Sequence, residues 1–322
     1  MAIFSDTEQH IKLAAQMLNA GKLVAFPTET VYGLGANACE DAAVAAIFAA
    51  KNRPSFNPLI SHFKSLEAVQ QILDLNREAV RLAKHYWPGP LTLVVNRPAG
   101  CPISLLASAG QSSVAIRVPA HPTALKLLQQ CDFPVVAPSA NPSGRISPSH
   151  AQHVFDNFSG QVEMILDGGW CETGIESTVL DCRDDARIRL LRPGAISVEM
   201  LEAELGIQTI LPDGDQTDKE QPAVSPGQLE SHYAPNASVR LNAEQPDDDE
   251  AYLSFNSPES PYPHHFSLSA NGDLTEAAAN LFKMLHEADA CDKAVIAVAP
   301  IPDNGIGAAI NDRLKRAAAP RT

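Results

Sequence analysis

The chain has 322 residues, 45% of them hydrophobic, which is enough length for a sizeable core and for two domains rather than one. Residues 1–206 carry 16 Lys+Arg against 20 Asp+Glu (−4), and residues 207–322 carry 8 against 18 (−10), making the total of −14. This excludes a broad electrostatic footprint for nucleic acid and confines any RNA contact to the first half. No apolar run approaches the ~20 residues of a membrane helix, and no charged-then-apolar leader opens the sequence. The six cysteines (Cys39, Cys101, Cys131, Cys171, Cys182, Cys291) show neither a C-x-x-C pair nor a zinc-ligand spacing, so a reduced, cytoplasmic protein without a dedicated metal site is expected.

In chain order, apolar runs of strand length fall at Leu23–Phe26, Leu91–Val95, Val114–Val118 and Val162–Leu166, several of them bounded by Pro or Gly. Helical patterns alternate with them. Asp41 is suited to cap Ala42–Lys51, Asn76 to cap Arg77–Tyr86 ahead of Pro88, and Ser149 to cap Ala151–Phe158, while Pro122 suits a first helical position. A further helix is expected over Ser197–Leu205. Composition then shifts to Pro, Gly, Asp and Gln over Gly206–Pro222, an exposed linker, followed by Ser225-Pro226-Gly227-Gln228-Leu229-Glu230-Ser231-His232-Tyr233-Ala234-Pro235. Beyond it a small α/β pattern resumes: a strand at Ala251–Phe255, a helix from Thr275 to Glu287 behind Asp273, a strand at Lys293–Ala299 and a helix ending near Arg316. The mixture predicts α/β (or α+β), without the regular βαβ spacing of a simple doubly wound sheet. No G-x-G-x-x-G opens a helix of the second half, so no dinucleotide is expected there.

The chemistry concentrates in two short segments, Lys51-x-Arg53 and Ser139-x-Asn141, which offer two cations and two neutral polar groups. No G-x-x-x-x-G-K-[ST] is present, so phosphates would be held by side chains and a backbone nest instead of a P-loop. Lys51 supplies a point charge and Arg53 a planar fork for two phosphate oxygens. Taken alone, the pair reads sooner as cations finishing an exposed helix end. Arg117 ends an apolar run before Pro119 and presents a fork suited to an amino-acid carboxylate, the bland alternative being a strand-end salt bridge.

These segments stand within longer strings: Pro27-Thr28-Glu29-Thr30-Val31-Tyr32-Gly33-Leu34-Gly35, Pro54-x-x-Asn57-Pro58-Leu59-Ile60 and Ala137-Pro138-Ser139-Ala140-Asn141-Pro142-Ser143-Gly144. Together the strings resemble the YrdC-like family of threonylcarbamoyl-AMP synthases, in the form with an extra C-terminal domain, from about Leu23 to about Ala317. The resemblance implies a twisted sheet with flanking helices around a concave cavity (1–206), a linker and active-site lid (207–237), and a small Rossmann-like domain (238–322). It implies Lys51 and Arg53 as catalytic residues and Lys51, Arg53, Asn57, Ser113, Ser139, Asn141, Ser147, Arg192 and Tyr233 as the ATP site. Thr30, His62, Arg117 and Ser177 would receive threonine. The strings Asp167-Gly168-Gly169 and Gly174-Ile175-Glu176-Ser177-Thr178-Val179 match further family segments. One departure stands out: Gln228, Leu229 and Glu230 replace the Met, Lys and Tyr of a common family form, which removes a cationic contact from the linker to the nucleotide.

The reaction implied is L-threonine, bicarbonate and ATP giving threonylcarbamoyl-AMP and pyrophosphate, for modification of the tRNA adenosine beside the anticodon. Mg²⁺ would be bound mainly through ATP, and the product would pass to a threonylcarbamoyl transferase machinery. Two other classes stay open at this point. One is an RNA-binding module in translation or ribosome assembly; the other is a carbamoyl transferase, against which stands the lack of an acylphosphatase-like domain or Cys-rich zinc fingers.

Overall fold

The computed structural model describes residues 2–158, 160, 162–211, 231–257, 259 and 261–320. The first domain is built on one mixed sheet. Its strands are β1 (Ile3–Ser5), β2 (Val24–Phe26), β3 (Gly33–Asn37), β4 (Ile60–His62), β5 (Leu91–Asn96), β6 (Ser113–Arg117), β7 (Val135–Val136), β8 (Met164–Asp167), β9 (Thr178–Asp181) and β10 (Arg189–Arg192). Their order is β1-β8-β2-β3-β7-β4-β6-β5-β9-β10. Parallel pairs (β1 with β8, β2 with β8, β4 with β6, β5 with β9) are mixed with antiparallel ones. Nearly every side chain of the central strands is buried on both faces, as helices and the second domain cover the sheet.

Seven helices belong to this part among the described residues: α1 (Glu8–Asn19), α2 (Asp41–Lys51), α3 (Leu66–Gln70), α4 (Arg77–Tyr86), α5 (Pro122–Gln129), α6 (Ala151–Phe158) and α7 (Val198–Leu205). Asn76 caps α4 through Ala79 N–H at 2.9 Å, Ser197 caps α7, and Pro122 opens α5 as expected. Two caps differ from expectation. Asp41 is the first residue of α2 rather than its cap, and its carboxylate accepts the Ser104 hydroxyl at 2.5 Å. The Ser149 hydroxyl is buried without a partner, and the Gln152 N–H goes to His150 Nδ1 instead.

The second domain is a parallel four-stranded sheet, β11 (Ser238–Arg240), β12 (Ala251–Ser254), β13 (His265–Ser267) and β14 (Val295–Val298), in the order β11-β14-β12-β13. Asp273 caps α8 (Leu274–Asp289) through the N–H groups of Thr275 and Glu276, and α9 (Ile306–Ala318) completes the layer. Each fully buried Leu or Phe of α8, such as Leu281, Phe282 and Leu285, contributes on the order of 1.5–3 kcal/mol. This core does not stop at the domain boundary. Val31, Ile146 and Ile175 of the first domain and Tyr233 pack into the same cluster.

Gly174 makes that contact possible, and Gly194 allows a second close approach within the first domain. Gly174 has φ +70°, and a Cβ on it would lie 2.4 Å from Ala279 Cα on α8. Gly194 sits against the 176–178 segment, where a Cβ would be 2.3 Å from Thr178 N. Part of the expected lid, residues 212–230 with the Ser225–Glu230 string, lies outside the described residues.

Candidate active site

α2 ends where the phosphate-type residues begin. Lys51 is its last residue, and Asn52 caps it in the left-handed region (φ 49°), a conformation Asn tolerates well. The exposed-helix-end reading fails, because Lys51 and Arg53 are 1% and 8% exposed. Lys51 Nζ donates to Ser139 O at 2.5 Å and to Asn141 O, which joins the two sequence segments about ninety residues apart. Arg53 donates from Nε to Asn57 O at 3.1 Å and from Nη2 to Pro58 O at 3.0 Å. Arg192, at the end of β10, donates to Ser177 O at 3.1 Å and Ser177 Oγ at 3.0 Å. None of these three buried cations has a carboxylate partner among the described residues.

Burial, reinforced by the Arg53 charge, holds the Lys51 ammonium well below its ordinary pKa. Burial likewise brings Arg53 down to about 10, partly opposed by Tyr233, and lowers Arg192. Side-chain atoms beside them are orphaned: both amide atoms of Asn57, Oδ1 of Asn141, Nδ1 of His232 and the Tyr233 hydroxyl are buried without a hydrogen-bond partner among the described residues. Buried polar groups are almost always satisfied, so these atoms are available to bond a water or a ligand in the cavity.

On the other side of the cavity the geometry is different. β4 and β6 run parallel with His62 opposite Arg117. The Arg117 fork is engaged: Nη1 donates to Thr30 Oγ1 at 2.9 Å, Nη2 to Glu29 Oε1, and Nε to Gly89 O at 3.2 Å. Glu29 also accepts the Ala120 N–H at 2.9 Å. Three of its five N–H donors are used in these bonds, and an arriving carboxylate meets Glu29 already beside the fork. His62 is brought to about 3 by burial and by the Arg117 charge, so its ring is neutral. Ser177 Oγ shares a 2.7 Å hydrogen bond with Thr92.

Thr30, Arg53, His62, Arg117, Ser139, Ser177, Arg192 and Tyr233 line one cavity together with Glu176 and His232. Lys51, Asn57 and Asn141 join it through the hydrogen bonds above, and Ser147 through its Oγ donating to Glu176 Oε1 at 2.5 Å. Ser113 does not join it. It starts β6, at the opposite end of that strand from Arg117, about 13 Å away by strand rise, and its hydroxyl meets Gln111.

The remaining space is small, about 50 Å³, against the several hundred Å³ of a nucleotide pocket. His232 and Tyr233 fill it. Tyr233 is 1% exposed and has φ +63°, an uncommon conformation for a bulky residue that persists only where its surroundings enforce it. Those surroundings are visible: His232 N–H donates to Arg316 O, Ala234 N–H to Gly144 O, and Phe282 of α8 stacks at 5.5 Å on the tyrosine ring.

Sequence reasoning passed over His232 as a lining residue, and it missed Arg313 altogether. Arg313 is 0% exposed, and its Nε meets Glu176 Oε2 at 3.1 Å. A signal was present. Gly307, Ala309, Ile310, Arg313, Leu314 and Ala317 form the buried stripe of α9, and a charge on an apolar stripe calls for a partner.

Comparison with known proteins decides the family. Residues 16–194 match the Sua5/YciO/YrdC family described as "Telomere recombination", and residues 196–319 match the "Threonylcarbamoyl-AMP synthase, C-terminal domain" family. The chain belongs to the Sua5/YrdC family, in its two-domain form. Among its relatives is the threonylcarbamoyl-AMP synthase of Pyrococcus abyssi, 41% identical across 96% of this chain and 94% of that protein. The Bacillus subtilis threonylcarbamoyl-AMP synthase is 38% identical across 98% and 95%. The crystal structure of P. abyssi Sua5 complexed with L-threonine superposes with a TM-score of 0.89, at 38% identity, over 99% of this chain and 98% of that one. Like its family, the chain is an enzyme of the nucleotidyltransferase type.

Proposed function

We propose that this cavity is where L-threonine, bicarbonate and ATP become threonylcarbamoyl-AMP and pyrophosphate, the reaction of the family. The observation that carries the assignment is the trio Lys51, Arg53 and Arg192, buried and, among the described residues, bonded only to carbonyls and a hydroxyl. Burying unpaired cations costs several kcal/mol each, and a triphosphate is the ligand that offsets it. Such burial also disfavours the RNA-module reading, since these cations cannot reach the phosphates of a duplex lying on the surface. Asn57, Ser139, Asn141, Ser147 and Tyr233 complete the nucleotide side in this reading. Ser113 rests on the resemblance alone.

Thr30, His62, Arg117 and Ser177 form the threonine side. Threonine and bicarbonate would first give the N-carboxylate with loss of water, and its oxygen would attack the ATP α-phosphorus, expelling pyrophosphate. The carbamate is the nucleophile, so no Ser, Cys or His nucleophile is required. Lys51 and Arg53 would act by holding the phosphates in line and offsetting charge that develops on them. Mg²⁺ accompanies ATP in this family's chemistry. Glu176, which lines the cavity, is engaged by Arg313, and Glu29 beside it by Arg117, which fits an ion held through phosphates and water rather than by a protein cage.

The closed cavity leads to the lid. We assign 1–206 to catalysis, 238–322 to the supporting domain, and 207–237 to a closing segment whose His232 and Tyr233 must withdraw to admit ATP and then return to exclude water from a labile mixed anhydride. The product would serve a cytoplasmic transferase acting on tRNA. The test is to incubate the protein with ATP, bicarbonate and each amino acid in turn. Pyrophosphate and an acyl adenylate with threonine alone are expected; equal turnover without threonine would refute the assignment.

A further inference from the structure

We propose that Arg313, on α9 of the second domain, is a positioning residue of the active site, holding Glu176, the Pro193 carbonyl and Tyr233 in register as one unit. The inference rests on the cavity being the nucleotide site.

A single guanidinium touches three separate segments of the first domain's site. Its Nε meets Glu176 Oε2 at 3.1 Å, its Nη2 meets Glu176 O at 3.4 Å, and its Nη1 donates to Pro193 O at 2.6 Å. Its Cζ stands 5.7 Å from the centre of the Tyr233 ring, within reach of a cation–π contact. Glu176 in turn accepts the Ser147 hydroxyl at 2.5 Å and lies directly before Ser177, which receives Arg192. Pro193 follows Arg192 in the chain. Arg313 therefore braces the segments that place Ser147, Ser177 and Arg192, along with the tyrosine that closes the cavity.

The partners show that this is not a generic interdomain salt bridge. Asp312 lies beside Nη1 at 3.1 Å but also pairs with Arg316 at 3.0 Å, so the arginine shares the anion of its own helix and takes Glu176 as its second carboxylate. A fully buried guanidinium reaching 137 residues back in sequence to a cavity-lining carboxylate instead couples second-domain docking to cavity geometry. An arginine does this because its planar fork fixes several acceptors at once, whereas a lysine keeps the charge without the fork.

The experiment compares Arg313→Lys, Tyr233→Ala and the double variant with the unmodified chain, measuring threonine-dependent pyrophosphate release across ATP and threonine titrations. Lys51→Ala serves as the control for the site itself. Arg313→Lys is expected to lower kcat/KM for ATP by about tenfold or more, with a smaller rise in KM for threonine that runs through Ser177 alone. On the Tyr233→Ala background the same change should cost much less, because part of its effect runs through Tyr233. Unchanged ATP kinetics, equal losses for both substrates, or a loss of the same size on both backgrounds would overturn the proposal. Arg313→Gln guards against a lysine-specific folding defect; if neither variant folds, Arg313 is structural and the positioning role is refuted. Loss of activity in Lys51→Ala but not in Arg313→Lys would sink this inference alone, whereas full activity in Lys51→Ala would sink the site assignment beneath it.

Discussion

Replacing Lys51 with methionine separates the binding role proposed for this residue from its structural one. The side chain is 1% exposed and its amine donates to the carbonyls of Ser139 and Asn141. In the empty protein, methionine removes a buried cation that costs several kcal/mol but strands two carbonyls at about 1–3 kcal/mol each. These terms nearly cancel, so the unliganded stability should stay within about 2 kcal/mol of the parent. With ATP the outcome differs. Losing a charge-assisted contact worth about 1.5–3 kcal/mol weakens affinity by about 10- to 150-fold. At an ATP concentration of 100 times the parent dissociation constant, the parent gains about 2.7 kcal/mol of stability and the variant only about 0.3–1.4. Denaturant titrations with and without ATP read this directly, and threonine-dependent pyrophosphate release should fall in parallel. Because Lys51 is held below its ordinary pKa in the empty site by burial and then by Arg53, ATP should raise that pKa. Binding should thus take up a proton at pH values between the two pKa values, an uptake visible by calorimetry in buffers of different ionisation enthalpy and missing in the methionine variant. Full ATP stabilisation with rates within about twofold of the parent would refute the assignment of Lys51 to the phosphates.

Arg117→Lys keeps the charge beside Glu29 but loses the fork that spans Glu29, Thr30 and Gly89; calorimetry should show threonine affinity falling about tenfold or more with ATP affinity little changed, and the reverse ordering would move Arg117 to the nucleotide. Gly174→Ala forces a Cβ to 2.4 Å from Ala279 Cα in a backbone with φ +70°, so it should cost upwards of about 1 kcal/mol and reduce synthesis by loosening the second domain, checked by a denaturant melt alongside the rate. His153 on α6 and His286 on α8 stack at 3.9 Å across the domain contact; burial, then the charges of His286 and His150, brings His153 to about 3, and burial brings His286 to about 4 against the raising effects of Ser147, Asp289 and Asp156. Their folded pKa values lie below the unfolded value of about 6.5, so the unfolded chain binds more protons between about pH 4 and 6.5 and stability is lost as pH falls through that window. Unfolding free energies at pH 7.5, 6 and 5 should show the loss, and His153→Phe should flatten it; an unchanged slope would mean that other groups carry it.

What could be read from the sequence alone follows from which physical signals are local. Periodicity and caps located most of the helices, though not α1 or α3, because both act within one turn: Asn76, Pro122, Ser197 and Asp273 each stand at the expected boundary. Strands such as Leu91–Asn96 were legible as apolar runs, but Gly33–Asn37 was not, since two glycines weaken any strand signal. Only the fold explains them: a Cβ at Gly35 would meet the Phe26 ring at 2.8 Å, and one at Gly33 would meet Ala137 Cβ at 3.0 Å. The site divides along the same line. Lys51, Arg53, Ser139 and Asn141 were visible because their strings are long and ordered, yet the sequence did not distinguish an exposed helix end from a buried cation seated on two carbonyls. Arg117 was legible as a fork but not as a fork already occupied by Glu29, because that partner is 88 residues away. Arg313 lay furthest from view. Its charge sits on the apolar stripe of α9, where local pattern reading treats it as noise, and its meaning depends on Glu176 in another domain. The residues hardest to find were thus those whose partners are distant in sequence, and a closed cavity joining two domains is made largely of such residues.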